Sequence, residues 1–154
     1  MSKSSSITID YPDGKTYTGE VLNDTPHGEG VATGPSGFRY EGGFFKGQYH
    51  GVGRIDLADG SSYQGNYAHG QFNGHGRLST PDGTSYEGQF SNGNRHGKGT
   101  LTLVDGTKWI AEWRNDRMDG PATLVLPDGE KIEGVFARAE FVMNGDVENG
   151  QKAS

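Results

Sequence analysis

Residues 40–62 read YEGGFFKGQYHGVGRIDLADGSS, and residues 63–85, YQGNYAHGQFNGHGRLSTPDGTS, repeat the same pattern of aromatic and glycine positions. The pattern recurs at a constant spacing of 23 residues along most of the chain. The first aromatic position of the unit and its equivalents are Tyr17, Tyr40, Tyr63, Tyr86, Trp109 and Ile132. Because a fixed period without slips indicates structural repeats, this spacing decides the fold.

Each unit begins with an aromatic residue, a glycine and a second aromatic residue at alternate positions, as in Tyr40, Gly42 and Phe44. Because the side chains of a β-strand alternate between its two faces, these three lie on one face, and the small or polar residues between them lie on the other. The second half of the unit alternates in the same way from Gly51 to Leu57. Each unit is therefore predicted to form two strands with one apolar face.

An Asp-Gly pair closes most units, as at Asp59-Gly60. Because such pairs favour tight hairpin turns, we expect them to join adjacent units, with a longer glycine-rich connection inside each unit at positions such as 46–51. The predicted fold is all-β: an elongated, twisted, single-layer antiparallel sheet of stacked β-hairpins, with roughly ten to twelve strands. Glycine opposite each aromatic position would let a ring from the neighbouring unit lie across bare backbone.

The repeat divides the chain into three parts. Residues 1–6 are expected to be a flexible N-terminus, and residues 7–137 the repeat domain, with about five units and a half unit at each end. Residues 138–154 are expected to form a C-terminal cap and a polar tail. The cap at 138–143 is compatible with a strand or a short helix, and residues 144–154 are expected to be mobile.

The composition favours a thin sheet and opposes several classes of protein. Of the 154 residues, 27 are glycine and 31% are hydrophobic, so a deep two-layer core is not expected. The absence of cysteine excludes disulfides and thiolate chemistry. The net charge of −6 opposes nucleic-acid binding, which depends on neutralising phosphates. Without a signal-like apolar run, the chain is predicted to be cytoplasmic, with association to the cytoskeleton or to membranes left open.

Two recurring polar motifs have simpler explanations than catalysis. His27, His50 and His96 occupy equivalent positions about 10 Å or more apart, too far for one zinc ion, and are expected to play a structural role in the turn. The Asp-Gly acids fit turn chemistry and lack the calcium-loop pattern. Neither a phosphate-binding loop nor a nucleophile motif is present. We therefore predict no enzymatic activity, no metal site and no cofactor.

The aromatic positions are the candidate binding residues. They either pack between repeats or present a surface that stacks on a partner. The candidates on the first strand of each unit are Tyr40, Phe44, Tyr63, Tyr67, Tyr86, Phe90, Trp109 and Trp113. Tyr49 and Phe72, with Met118, precede the His-Gly-type pairs and form either an exposed contact strip or packing onto the strands. Arg54 and Arg77, one unit apart on the predicted polar face, are the weaker candidates for acidic lipid headgroups.

The unit from Tyr40 through His50-Gly51 to Asp59-Gly60 resembles the MORN (membrane occupation and recognition nexus) repeat, from about Ile7 to Phe136. The resemblance implies a curved antiparallel sheet that serves as a protein-binding or assembly module, often homodimeric. It also implies that some members bind anionic phospholipids. We therefore expect a non-enzymatic scaffold that binds a partner peptide or helix on its aromatic face and homodimerises through a terminal edge strand. A peripheral membrane adaptor is the alternative.

Overall fold

Thirteen strands make up most of residues 6–144, the part of the chain that the computed structural model describes. The strands are β1 (Ser6–Asp10), β2 (Thr16–Leu22), β3 (Thr25–Thr33), β4 (Arg39–Phe45), β5 (Gln48–Asp56), β6 (Ser62–Ala68), β7 (Gln71–Ser79), β8 (Ser85–Ser91), β9 (Asn94–Thr102), β10 (Lys108–Arg114), β11 (Arg117–Val125), β12 (Lys131–Ala137) and β13 (Glu140–Met143). A short 3-10 turn, Pro35–Gly37, separates β3 from β4.

The strands form one open sheet in which each strand pairs, antiparallel, with its neighbours in the chain. The predicted single-layer sheet of stacked hairpins is confirmed. It has one strand more than the upper end of the predicted range, because Glu140–Met143 follows the C-terminal half unit as a further strand. The segment 138–143, compatible with strand or helix, therefore ends in a strand. Residues 1–5 and 145–154, which hold most of the segments predicted to be flexible or mobile, lie outside the described residues.

The two-residue turns lie within the units and the longer loops lie between them, which is the reverse of the prediction. Within a unit only two residues join the strands, as at Lys46-Gly47, where φ is 51° and 85°. Positive φ at both residues is typical of a type I′ turn, whose twist matches that of paired strands. The same turn recurs at Asn23-Asp24, His69-Gly70, Asn92-Gly93, Asn115-Asp116 and Arg138-Ala139. The longer connection predicted at 46–51 is therefore wrong, and its His-Gly pair lies in β5.

The Asp-Gly pairs lie instead in three-residue loops between units. In the loop at 58–60, Leu57 N–H donates to Ser61 O at 2.8 Å, and Gly60 N–H donates to Leu57 O at 3.0 Å. Of the loop residues only Gly60 has a positive φ, and the Asp59 carboxylate accepts a hydrogen bond from Ser61 N–H at 2.8 Å. The same carboxylate bond forms at Asp13, Asp82, Asp105 and Asp128. The aspartates thus hold a local turn, but not the two-residue hairpin predicted for them.

Each of four two-residue turns is hydrogen-bonded to the unit before it. The N–H of the second turn residue donates to the carbonyl of a residue one unit earlier. These bonds, at 2.9–3.1 Å, run from Gly47 to Pro26, Gly70 to Tyr49, Gly93 to Phe72 and Asp116 to Arg95. Consecutive hairpins therefore complete one another, as expected of a repeat array.

Four equivalent tyrosines form the centre of the core. Their relative exposures are 0–1% for three and 2% for the fourth: Tyr17, Tyr40, Tyr63 and Tyr86. Gly65 and Gly76 are directly paired across β6 and β7, and Tyr63 of the same hairpin lies over both. An ideal Cβ on Gly76 would lie 2.2 Å from the Tyr63 hydroxyl oxygen. The prediction that the ring comes from the neighbouring unit is therefore wrong, because each ring covers glycines of its own unit.

The hydroxyl groups of the four core tyrosines are hydrogen-bonded to the backbone. Each donates to the carbonyl three residues further on, at distances of 2.6–2.9 Å. Burial raises the pKa of Tyr17, Tyr63 and Tyr86 to about 12. Burial raises the pKa of Tyr40 further. The core is thus built from tyrosine rings whose apolar faces are packed and whose hydroxyl groups are hydrogen-bonded.

The fifth unit replaces both glycines by alanine, and its ring is less deeply buried. Ala111 and Ala122 are paired across β10 and β11, and each is 6% exposed. Their methyl groups take up room over the backbone that a tyrosine ring covers in the other units. Trp109 contacts Phe136 with ring centroids 5.2 Å apart, as the core tyrosines contact the ring 27 residues further on, but it also packs against Phe141 at 5.0 Å and is only half-buried. The change of ring and the change of the two glycines therefore belong together.

Replacing Ala139 by glycine should raise the free energy of unfolding by about 1 kcal/mol, because left-handed backbone is costly for alanine. Ala139 has a φ of 68° in the last two-residue turn. Ala137→Gly is the matched control, since Ala137 lies in β12, where glycine costs roughly 0.5–1 kcal/mol. Denaturant unfolding measures both changes, and shifts of the same sign would contradict the turn assignment.

Candidate partner-binding surface

The structure buries most of the aromatic candidates. Seven of the ten have relative exposures of 0–7%: Tyr40, Phe44, Tyr63, Tyr67, Tyr86, Phe90 and Trp113. Their rings pack edge to face, as in the pair Tyr86 and Phe90 with centroids 5.1 Å apart. Packing accounts for these seven side chains, which have little surface left for a partner. The other three, Tyr49, Phe72 and Trp109, stay half-buried.

One side chain per unit covers the tyrosine row, and we term these six residues the outer strip: Pro26, Tyr49, Phe72, Arg95, Met118 and Phe141. Tyr49 stacks on Tyr40 with centroids 3.9 Å apart, and Phe72 stacks on Tyr63 at 3.8 Å. These residues lie in strands and not in the predicted loops. Tyr49, Phe72 and Met118 pack onto the strands against the core, as the second interpretation expects, and part of each side chain stays accessible.

The fourth position of the outer strip carries a cation in place of a ring. The Arg95 guanidinium lies 4.4 Å from the Trp113 ring and 5.8 Å from the Tyr86 ring. Its Nε donates to the Asp116 carboxylate at 2.7 Å, and its Nη2 donates to the Asp116 carbonyl at 3.1 Å. Arg95 is therefore held over the Trp113 ring by Asp116 and is the one charged member of the outer strip.

A cavity of about 440 Å³ opens at the N-terminal end of the outer strip. Tyr17, Phe44 and Tyr49 contribute apolar walls, and Lys15 lies at the same cavity. Pro26 also lines it, at the position where a ring stacks on the tyrosine in the next two units. The smaller proline ring leaves room above the first tyrosine that a side chain from outside could fill.

Removing the hydroxyl groups of Tyr63 and Tyr67 should change stability in opposite directions. Tyr63 O–H donates to Asn66 O at 2.8 Å, so Tyr63→Phe should lower the free energy of unfolding by about 1 kcal/mol. The buried Tyr67 hydroxyl has no hydrogen-bond partner within residues 6–144, and phenylalanine occupies the equivalent positions 44 and 90. Tyr67→Phe should therefore raise stability by about 1 kcal/mol. Chemical denaturation compares the two variants, and a loss at Tyr67 would refute this account.

The opposite face of the sheet carries the lipid-binding candidates within a row of polar side chains. Neighbouring strands bring into register Glu41, Arg54, Gln64, Arg77 and Glu87. Arg54 pairs with Asp56 at 3.0 Å, and Arg77 pairs with Glu87 at 3.4 Å. All four side chains of these pairs are 40–56% exposed. Each arginine is thus balanced by an acid, and the row is a solvated surface of mixed charge.

The repeat histidines lie in strands, and one of them holds a turn of the next unit. They lie in β3, β5 and β9: His27, His50 and His96. His27 Nδ1 accepts a hydrogen bond from Lys46 N–H at 3.2 Å, and Asn73, at the equivalent position, accepts one from Asn92 N–H at 3.2 Å. Residues 6–144 contain no group of three His, Asp or Glu side chains that could hold a metal ion. The position thus contributes to the turn of the next unit, although it does not lie in a turn as predicted.

Sequence reasoning did not single out three arginines near the C-terminal end of the sheet: Arg114, Arg117 and Arg138. Arg114 and Arg117 face each other directly across β10 and β11, and Arg138 lies in the next two-residue turn. Comparing charge at equivalent positions of successive units would have found them, because the other units are mostly uncharged there. The periodic aromatic pattern drew attention to what the units share and not to where they differ.

An open sheet of stacked 23-residue hairpins, with its core on one face, defines a repeat protein of the interaction class. Five consecutive segments match the MORN repeat, at residues 17–39, 40–62, 63–85, 86–108 and 109–131, and the chain belongs to the MORN repeat family. MORN repeats are non-enzymatic and are generally associated with protein or membrane-lipid interaction. None of the curated proteins compared with the chain matches it. Within residues 6–144, no helix has the length and apolar character needed to cross a membrane.

Proposed function

We propose that this chain is a non-enzymatic scaffold module that binds a partner peptide or helix along the outer strip. The observation that supports it most is the placement of Tyr49 and Phe72, each stacked on a buried tyrosine and itself partly accessible. Rings that are already immobilised offer apolar area to a partner with little further loss of entropy. The buried rings beneath, such as Tyr40 and Tyr63, would support binding by fixing the rings above them.

Replacing both accessible rings, in Tyr49→Ser/Phe72→Ser, should reduce binding of the partner at least tenfold, because aromatic anchors dominate interface energies. Affinity purification with quantitative mass spectrometry would identify the partner, and titration with the purified partner would measure the change. Gln64→Ser/Glu87→Ser, on the opposite face, is the matched control and should leave binding intact. Both variants must keep the circular dichroism spectrum of the sheet. Equal loss of binding in the two variants would contradict the assignment to the aromatic face.

Homodimerisation is the second part of this proposal. β1 and β13 are the terminal strands of the sheet, so each has an edge with unpaired backbone groups within residues 6–144. Such an edge is a template for pairing with another strand. Sedimentation velocity over a range of protein concentrations tests the dimer, and a monomer at the highest concentration would eliminate it without affecting the outer strip.

The membrane-adaptor alternative receives less support from Arg54 and Arg77. Lipid surfaces recognise clusters of roughly four to eight basic residues, each contributing about 1 kcal/mol. These two arginines are paired with Asp56 and Glu87, and the whole chain carries a net charge of −6. A cytoplasmic location, with attachment to the cytoskeleton or to a membrane through the partner, remains a prediction from the sequence.

A further inference from the structure

Arg114, Arg117 and Arg138, which we term the arginine corner, lie in or beside the last two two-residue turns. Together they line a cavity of about 450 Å³ with Asp119. Arg114 pairs with Asp119 at 3.3 Å, so an acid balances its charge, as at Arg54 and Arg77. Within residues 6–144, Arg117 and Arg138 form no ion pair. The corner is therefore a local excess of positive charge on an acidic protein.

An apolar cavity of about 330 Å³ adjoins the arginine corner. Leu101, Trp113, Met118 and Phe136 line it, and Arg95 of the outer strip stands at the same cavity. The two cavities adjoin each other, since both are lined by Arg117, Met118 and Ala139. A single ligand can therefore place an apolar group against Trp113 and negative charges against the arginines.

The fold does not require these arginines. Positions equivalent to Arg114 are held by Leu22, Phe45, Ala68, Ser91 and Ala137, and those equivalent to Arg117 by Thr25, Gln48, Gln71, Asn94 and Glu140. Moreover, Arg114 faces Arg117 directly across the strands, and like charges in that arrangement are destabilising. A cost in stability at positions where the repeat accepts neutral residues is typical of residues kept for binding.

We propose that the arginine corner and the adjoining apolar cavity recognise an acidic peptide segment that carries one apolar anchor side chain. This inference rests on the proposed function and specifies the chemistry of the partner at the C-terminal end of the outer strip. The anchor fills the cavity between Trp113 and Phe136. Carboxylates on neighbouring positions of the peptide accept charge-assisted hydrogen bonds from Arg117 and Arg138.

A peptide fits these features better than a membrane does. The apolar cavity has the volume of one or two side chains, which is too small for an acyl chain to enter far. Asp116 and Asp119 lie among the four arginines of the two cavities, so the net charge falls short of the clusters that bind anionic membranes. Arg117 and Arg138, which have no ion pair within residues 6–144, could instead each bind one carboxylate of a short acidic segment.

Selection of random phage-displayed peptides against the full-length chain tests this inference. The selected peptides should combine an apolar residue with two or more neighbouring acidic residues. A fluorescent peptide made from such a sequence should bind the Arg117→Gln/Arg138→Gln variant at least tenfold more weakly than the unmodified chain, because each charge-assisted bond is strong. The variant should also unfold at the same or a higher denaturant concentration, because a like-charge contact has been removed. Arg39→Gln, at an exposed ion pair with Glu41, is the control and should bind normally.

Four results would overturn the inference. They are the selection of no peptide, the selection of peptides without acidic residues, equal affinity for the arginine variant, and arginine-dependent binding of phosphatidylserine vesicles without binding of any peptide. In one further outcome, the selected peptide fails to bind the Tyr49→Ser/Phe72→Ser variant and yet binds the arginine variant with unchanged affinity. That result would refute the arginine corner alone and leave the proposed function standing.

Discussion

Gly76→Ala is expected to lower the free energy of unfolding by about 3 kcal/mol, a large effect for one methyl group. An ideal Cβ at this position would lie 2.2 Å from Tyr63 Oη and 2.4 Å from a carbon of the same ring. The ring would have to leave a site where it is 1% exposed and hydrogen-bonded to Asn66 O. Gly76 does not have a left-handed φ, so the loss would come from the collision and not from backbone strain. Urea unfolding followed by circular dichroism measures the change.

Two controls isolate the collision. In a Tyr63→Leu background the ring is already absent, and Gly76→Ala should then cost less than about 1 kcal/mol. Gly34→Ala places its Cβ 3.2–3.3 Å from the Phe38 and Lys15 side chains, which can move, and should cost less than about 1 kcal/mol. An undiminished penalty in the Tyr63→Leu background would show that the ring is not the cause. In the fifth unit, where Ala111 and Ala122 replace the glycines, Trp109 is only half-buried, as expected of a ring that meets these methyl groups.

Raising the pH from about 10 to about 12 is expected to unfold the sheet. Burial raises the pKa of Tyr17, Tyr63 and Tyr86 to about 12, whereas an unfolded chain ionises its tyrosines near pH 10. The unfolded state therefore loses protons first. The stability that these phenols contribute is fully present below pH 10 and is lost as the pH rises through about 12. Ultraviolet absorbance of phenolate and circular dichroism should change together.

Tyr67→Phe provides the control for this transition. Burial also raises the pKa of Tyr67, and this hydroxyl has no hydrogen-bond partner within the described residues. Removing it eliminates one phenol that favours the unfolded state at high pH, so the midpoint of alkaline unfolding should move upward. Phenolate absorbance that develops fully while the sheet spectrum persists would show that the core tyrosines are open to solvent.

The alkaline transition and the glycine substitution probe the same structural unit from two sides. The first acts on the tip of a core tyrosine, where the hydroxyl donates to a backbone carbonyl. The second acts on the bare backbone beneath the ring. Because four units share this arrangement and the turns of successive units are hydrogen-bonded, damage to one unit should weaken its neighbours as well.

The binding surface was only partly predictable. Period-two alternation assigned Tyr40, Phe44 and their equivalents to one face, and the structure confirms that they share it. Alternation could not show which rings lie beneath and which lie above, because the stacking of Tyr49 on Tyr40 depends on pairing between β4 and β5. The arginine corner was missed for another reason, since Arg114, Arg117 and Arg138 depart from the residues that the other units have at these positions, and the repeat pattern emphasises what the units share.

The sequence by itself determined the class of fold, the 23-residue unit, the apolar face and the family, because all four follow from a period that never slips. It did not determine the turns. Lys46-Gly47 and Asp59-Gly60 both contain a glycine that accepts positive φ, and either could have formed the two-residue hairpin. Only the tertiary structure decided between them, because the register that places each tyrosine over the glycines of its own hairpin leaves two residues for one connection and three for the other.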